Sequence, residues 1–191
     1  MKLLLTAFEP FGGEEKNASL EALRLVPEEI AGAKIVRRVL PVVFGEAERA
    51  IREAVREEAP EAVLCLGQAA GRAALTPERL AVNLADARIP DNAGRQPTGE
   101  PLIPGGAEKL FATLSVEAMR EEIRAAGLPA ELSDSAGSFV CNAVLYALLD
   151  ELSRRPGARG GFLHLPALSE DFPAQALARG VEAAVRAIVE N

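Results

Sequence analysis

One histidine, two cysteines, no tryptophan and a single tyrosine stand among 191 residues. So few thiol and imidazole groups exclude a zinc site of the usual kind, which draws about four ligands from Cys and His. Cys65 and Cys141 fall in different halves of the chain and make no disulfide framework. No stretch approaches the ~18 consecutive apolar residues of a membrane span. The LLLTAF run after Lys2 is too short for a secretory segment and ends at Glu9. The net charge is −7 and no Lys/Arg block opposes it, which excludes a nucleic-acid surface. The expectation is a cytoplasmic protein with no metal, no other cofactor, and neither nucleic acid nor membrane as a partner.

What is present reads as one compact domain over residues 1–191, with 49% apolar and 26% charged residues. Apolar runs of strand length alternate with segments of helical period. KLLLTAF is a buried strand, and SLEALRLV a short helix with Ser19 placed to cap it. KIVRRVLPV is a second strand. In the helix that follows, Phe44, Ala47, Ile51, Ala54 and Val55 share a face. AVLCLG is a third strand and RLAVNLA a fourth. VEAMREEIRAAG is a helix stopped by Gly127 and Pro129, AELSDS a strand, and FVCNAVLYALLDELSRR a strong helix. GFLHL is the last strand, and a helix over residues 172–189 ends the chain. This alternation predicts an α/β fold with a mostly parallel sheet covered on both faces. Residues 86–106, rich in Pro and Gly, break the pattern: either a functional loop or arm, or a surface hairpin or subunit contact.

His164 is the only side chain whose unperturbed pKa suits acid–base work near neutral pH. It ends a strand, and in open α/β sheets ligands bind at the carboxyl ends of strands. A structural histidine with both nitrogens satisfied is the alternative. Cys141 follows the turn AGSF, where Ser138 as N-cap would put it in the first turn of its helix. Free N–H groups and the helix dipole there favour a thiolate and lower the thiol pKa. The same N–H groups could bind an oxyanion. Cys65, flanked by leucines, reads as a small buried hydrophobe. A third group should orient the imidazole, and spacing cannot choose it from 28 acidic residues.

The chain resembles the pyroglutamyl peptidases, a family of cysteine peptidases also called pyrrolidone carboxyl peptidases. The resemblance runs through TAFEPFGG, LGQAAGR, TPERLAVNLADARIPDN, AGSFVCN and GFLHLP, five blocks in the family's order across residues 3–166. It implies a three-layer α/β/α sandwich of the phosphorylase/hydrolase type and a triad of Cys141, His164 and Glu78. It places Gln68 near the substrate, Phe8 and Phe11 on the faces of the substrate ring, and Arg88 at the oxyanion. The implied partners are peptides bearing an N-terminal pyroglutamate, with an acyl-enzyme on Cys141, and the implied assembly is a homo-oligomer, dimer or tetramer. Pyroglutamate is an uncharged lactam, so aromatic walls with a few amide groups suit it better than a charged pocket. Ala7, Ala18 and Ala70 stand where the family commonly has Gly, Pro and Gly, at loops expected to touch the pocket. Ala143 stands where His sometimes occurs, which leaves His164 without a rival. Two other readings compete: a non-catalytic homologue that binds capped peptide termini, and a nucleoside phosphorylase-like enzyme, the latter from fold analogy alone.

Overall fold

The computed structural model describes residues 1–191. Thirteen elements follow one another: β1 (Lys2–Phe8), α1 (Ala18–Leu25), β2 (Glu29–Ile30), β3 (Ala33–Leu40), α2 (Glu46–Glu58), β4 (Ala62–Gln68), β5 (Thr76–Glu78), β6 (Leu80–Val82), β7 (Lys109–Phe111), α3 (Val116–Ala125), α4 (Val140–Leu152), β8 (Arg159–Leu165) and α5 (Ala174–Glu190). Six strands form one sheet in the order β2-β3-β1-β4-β8-β5. The four inner strands are parallel, and the short strands at the two edges, β2 and β5, are antiparallel to their neighbours. β6 and β7 pair as a separate two-stranded ribbon. No helix is long and apolar enough to cross a membrane.

The predicted α/β/α layering follows from side-chain alternation along each strand. Leu3, Leu5 and Ala7 enter one core while Leu4 and Phe8 enter the other. The same alternation sends Leu64 and Leu66 of β4 to the first core, and Val63 and Cys65 to the second. Helices α1, α3 and α5 close the first core, and α2 and α4 the second. Strands buried on both faces lose the polar/apolar alternation, which is why AVLCLG reads as a continuous apolar run. Phe44, two residues before α2, and Ala47, Ile51, Ala54 and Val55 within it are all buried in the second core, as their spacing predicts.

Four local expectations need correction. Asn17, not Ser19, caps α1: its Oδ1 accepts from Ser19 N at 3.0 Å. Ser19 Oγ instead accepts from Phe8 N, tying the helix to the end of β1. AELSDS is no strand, and touches β5 and Leu75 only through isolated bridges at Ala130 and Ser133. Ser133 and Ser135 turn it away by bonding their own neighbourhood, Ser133 Oγ accepting from Ser135 N. RLAVNLA is strand only over Leu80–Val82, and its partner β7, three residues long, is too short to show a period. Ser138 does not cap α4; its hydroxyl donates to the Asp86 carbonyl at 2.6 Å and Phe139 holds the cap position.

Residues 86–106 fold back on themselves. Ala85 and Glu100 exchange backbone hydrogen bonds, and Ala87 N donates to Pro97 O. The buried Asp91 carboxylate fastens the tip, accepting from Ala93 N, Arg95 N and, from the end of β3's connection, Phe44 N. The segment is thus a hairpin-like wall pinned to the body.

Candidate active site

Parity in the sheet assembles the site. Phe162 and His164 point to the α2/α4 side of β8, and Gly67 on β4 pairs with His164. On the other flank Glu78 of β5 pairs with Phe162 and Thr76 with His164. Glu78 therefore lies one diagonal step from His164 on the same face, and its Oε1 accepts from His164 Nδ1 at 2.7 Å. Both side chains are buried. An ionised carboxylate only accepts, so the bond places the imidazole proton on Nδ1 and leaves the Nε2 lone pair available. Phe162 packs against the imidazole, ring centroids 4.7 Å apart.

Cys141 comes from α4, which begins at Val140, so the thiol lies in the first helical turn with Phe139, not Ser138, at the cap. Asn142 fixes this end of the helix. Its Nδ2 donates to the Val82 and Leu84 carbonyls, and its Oδ1 accepts from Val82 N. Gly67 makes room for the sulfur: a Cβ there would lie 2.9 Å from Cys141 Sγ and 2.7 Å from the Phe162 ring. Cys65 is wholly buried, as expected of a small core hydrophobe.

The electrostatics differ from the dipole argument. Burial pushes the Cys141 thiol up to about 12, and the Glu78 charge and Cys65 push the same way. Arg72 and the thiol's own backbone N–H oppose this, but do not prevail. Desolvation of a whole group outweighs the partial charges of one helix end. Burial likewise lowers the His164 pKa, against the pull of Glu78. Both shifts favour a thiol and a neutral imidazole at rest.

Cys141 and His164 line one cavity of about 750 Å³ with Phe8, Phe11, Gln68 and Arg88. All seven residues singled out in the sequence thus come together, six on the cavity and Glu78 directly behind His164. They differ in posture. Phe11 is half-buried and packs against Phe139, centroids 6.0 Å apart, while Phe8 is 2% exposed and packs against Phe162. Gln68 Oε1 accepts from Ala18 N at 2.7 Å, which leaves its amide Nε2 as the free donor. Arg88 is exposed and makes no ion pair, on the hairpin that also contributes Asp86 and Ile89. Of the unusual alanines only Ala70 lines the cavity; Ala7 and Ala18 are buried in the first core. No three His, Cys, Asp or Glu groups converge as metal ligands would.

Three residues escaped the sequence reading. Phe139 forms the aromatic wall with Phe11 and is met edge-on by Phe44 at 5.4 Å. Its position two before Cys141 was the available signal. Arg72, within the LGQAAGR block, donates from Nη1 to Glu78 Oε1 at 2.6 Å. Asn142, next to the thiol, closes the AGSFVCN block, but its role as a clamp is visible only in the tertiary contacts.

A family model described as pyroglutamyl peptidase matches residues 1–190. The pyrrolidone-carboxylate peptidase of Levilactobacillus brevis is 46% identical over 199 residues, covering 99% of this chain and 98% of its own. That of Streptococcus suis is 46% identical over 200 residues, covering 100% and 93%. Among solved structures, pyroglutamyl peptidase I from Bacillus amyloliquefaciens superposes with a TM-score of 0.93 at 40% identity, over 100% of this chain and 95% of that one. A mutant pyrrolidone carboxyl peptidase from the hyperthermophile Pyrococcus furiosus gives 0.94 at 35%, over 100% and 99%. Site, fold and whole-length similarity agree: the chain belongs to the pyroglutamyl peptidase family.

Proposed function

We propose that Cys141, His164 and Glu78 carry out the family's reaction, hydrolysis of the amide bond after an N-terminal pyroglutamyl residue, in one catalytic domain spanning the chain. The observation that carries this is the Glu78–His164 hydrogen bond of 2.7 Å behind a cavity that Cys141 also lines. The Cys141 thiol gives its proton to His164 Nε2 as the sulfur attacks the pyroglutamyl carbonyl, so thiolate and imidazolium arise in the encounter with substrate. Glu78 holds the ring in that tautomer and stabilises the imidazolium. The oxyanion meets the backbone N–H of Cys141 in the open first turn of α4, with Arg88 at the rim. His164 then protonates the leaving amine, the C–N bond breaks, and a thioester remains on Cys141. Water attacks the thioester, His164 takes its proton and returns it to sulfur, and free pyroglutamate leaves.

The cavity suits the lactam. Phe11 and Phe139 supply apolar faces, and the free amide donor of Gln68 suits the ring carbonyl. Phosphorolysis would leave the Cys141, His164 and Glu78 assembly without a role, and a binding module would have no use for a buried carboxylate orienting an imidazole. Peptides with an N-terminal pyroglutamate are the partners, in a cytoplasmic homo-oligomer whose size sedimentation would measure.

The test compares release of a chromogenic amine from a pyroglutamyl amide by wild type and Cys141→Ala, beside the prolyl amide that lacks the lactam carbonyl. Turnover of the pyroglutamyl amide alone, lost in Cys141→Ala, is expected. A well-folded wild type without turnover would overturn the reading and favour the binding protein.

A further inference from the structure

Glu78 is fully buried, yet both of its hydrogen bonds fall on one oxygen. Oε1 accepts from His164 Nδ1 at 2.7 Å and from Arg72 Nη1 at 2.6 Å, while Oε2 is buried with no partner. A dry carboxylate with one bare oxygen is a costly group, and its rotation would break the bond to the imidazole. Arg72 spans the gap that prevents this. Its Nη2 donates to the Ser135 carbonyl at 2.9 Å and reaches Ser133 Oγ at 3.4 Å. The guanidinium therefore bridges the connection after β4, the carboxylate on β5 and the turn before α4. A planar guanidinium holds both points from separate nitrogens in fixed geometry, whereas an ammonium has only one nitrogen from which to reach them.

We infer that Arg72 is a positioning residue of the reaction, holding Glu78 in the orientation that orients His164 and balancing the charge of the buried site. Counting Arg72 and Glu78 with a neutral His164 and a thiol at Cys141, the resting site is neutral overall. The groups facing His164 come from every packed element: Glu78 from β5, Arg72 from the connection after β4, and Cys141 from α4, with Cys65 of β4 behind Cys141. Arg72 opposes premature protonation of His164 and favours the thiolate of Cys141, so its charge acts on both partners of the proton transfer. Without it the charge balance of the site shifts toward negative and His164 takes up a proton more readily, although burial still opposes this.

The inference rests on His164 being the general base, but its first readout does not. His164 is the only histidine in the chain, so one set of ¹⁵N imidazole resonances reports its tautomer and titration directly. In Arg72→Gln, His164 should bind a proton at least about tenfold more tightly, a rise of one pH unit in its midpoint. The acid limb of kcat/KM should move up with it, and kcat should fall at least about tenfold with a smaller change in KM. Arg72→Lys keeps the charge but loses the two-point grip, so its midpoint should stay near wild type while kcat falls. A folded Arg72→Gln protein with the wild-type titration and pH profile would overturn the inference. Should Arg72→Gln not fold, a double-mutant cycle of Arg72→Lys with Glu78→Gln decides. If Arg72 acts through Glu78, the lysine costs less than about twofold once Glu78 is Gln; fully additive losses would overturn the inference. A shifted titration in Arg72→Gln alongside turnover by Cys141→Ala would sink the nucleophile assignment alone.

Discussion

A protonated thiol and a neutral imidazole are what burial imposes on Cys141 and His164, and this sets the reactivity of the free protein. The thiolate is the species that alkylates, and here it is scarce until the pH approaches about 12. Inactivation by iodoacetamide should therefore rise about tenfold per pH unit from pH 6 to 9 without a plateau, since each unit raises the thiolate fraction tenfold. A plateau beginning near pH 6 would mean a preformed thiolate–imidazolium pair. Residue types alone pointed to the opposite, because a first-turn cysteine is exposed to the helix dipole. The helix end can be read from sequence, whereas the desolvation that outweighs its dipole depends on Phe162, Gly67 and Cys65 arriving from two strands.

At the scale of elements, the site depends on how α4 is held against the β6–β7 ribbon. Asn142 is the clamp, with three hydrogen bonds to Val82 and Leu84. Asn142→Ala would leave the Val82 N–H and the Leu84 carbonyl without these partners in a part-buried setting, while the Val82 carbonyl keeps Leu84 N. Destabilisation of about 2–4 kcal/mol is expected in urea unfolding, since each unsatisfied buried group costs about 1–3 kcal/mol before relaxation. Loss of activity should accompany it, because the same turn presents Cys141. A variant as stable as wild type would show that the ribbon docks by apolar contact alone. The elements themselves were legible where their period was long: α2 and α4 stand where the sequence places them. β7 and the 130–135 segment were not, because three residues carry no period and serine side chains compete for the backbone.

Over the whole molecule, stability should follow pH as a dome with two named limbs. His164 has a folded pKa below 6.5, so the unfolded chain binds more protons below that value and stability falls as pH drops through it. Glu151, joined to Arg56 and Arg155 between α2 and α4, is held at about 2 rather than 4.5. Its contribution is complete above 4.5 and is lost as pH falls toward about 2. Glu48, raised by burial, works in the opposite sense just above 4.5. On the alkaline side Cys65 and Cys141 stay protonated from 9.0 to about 12 while the unfolded thiols ionise, so stability declines there. Each such group contributes a slope of about 1.4 kcal/mol per pH unit within its window. Chemical denaturation across pH should show both limbs, Glu151→Gln should flatten the lowest part of the acid one, and Cys65→Ala should halve the alkaline slope between pH 9 and 10, above which Tyr146, raised by burial, adds to it. An alkaline limb unchanged by Cys65→Ala would assign it to other groups.

The sequence by itself determined the layers, the parallel sheet and the chemical cast. Strand and helix periods are local properties, and a chain with one histidine and two cysteines offers few candidates for acid–base and nucleophilic work. Recognition of five ordered motifs brought in Glu78, Gln68, Phe8, Phe11 and Arg88, and the fold then gathered them around one cavity. Only the tertiary structure decided their charges and postures. That Arg72 and His164 share one oxygen of Glu78, that Gln68 spends its carbonyl on α1, and that Cys141 rests as a thiol all depend on distance and desolvation. Those quantities arise between segments far apart in the chain, and no local pattern encodes them.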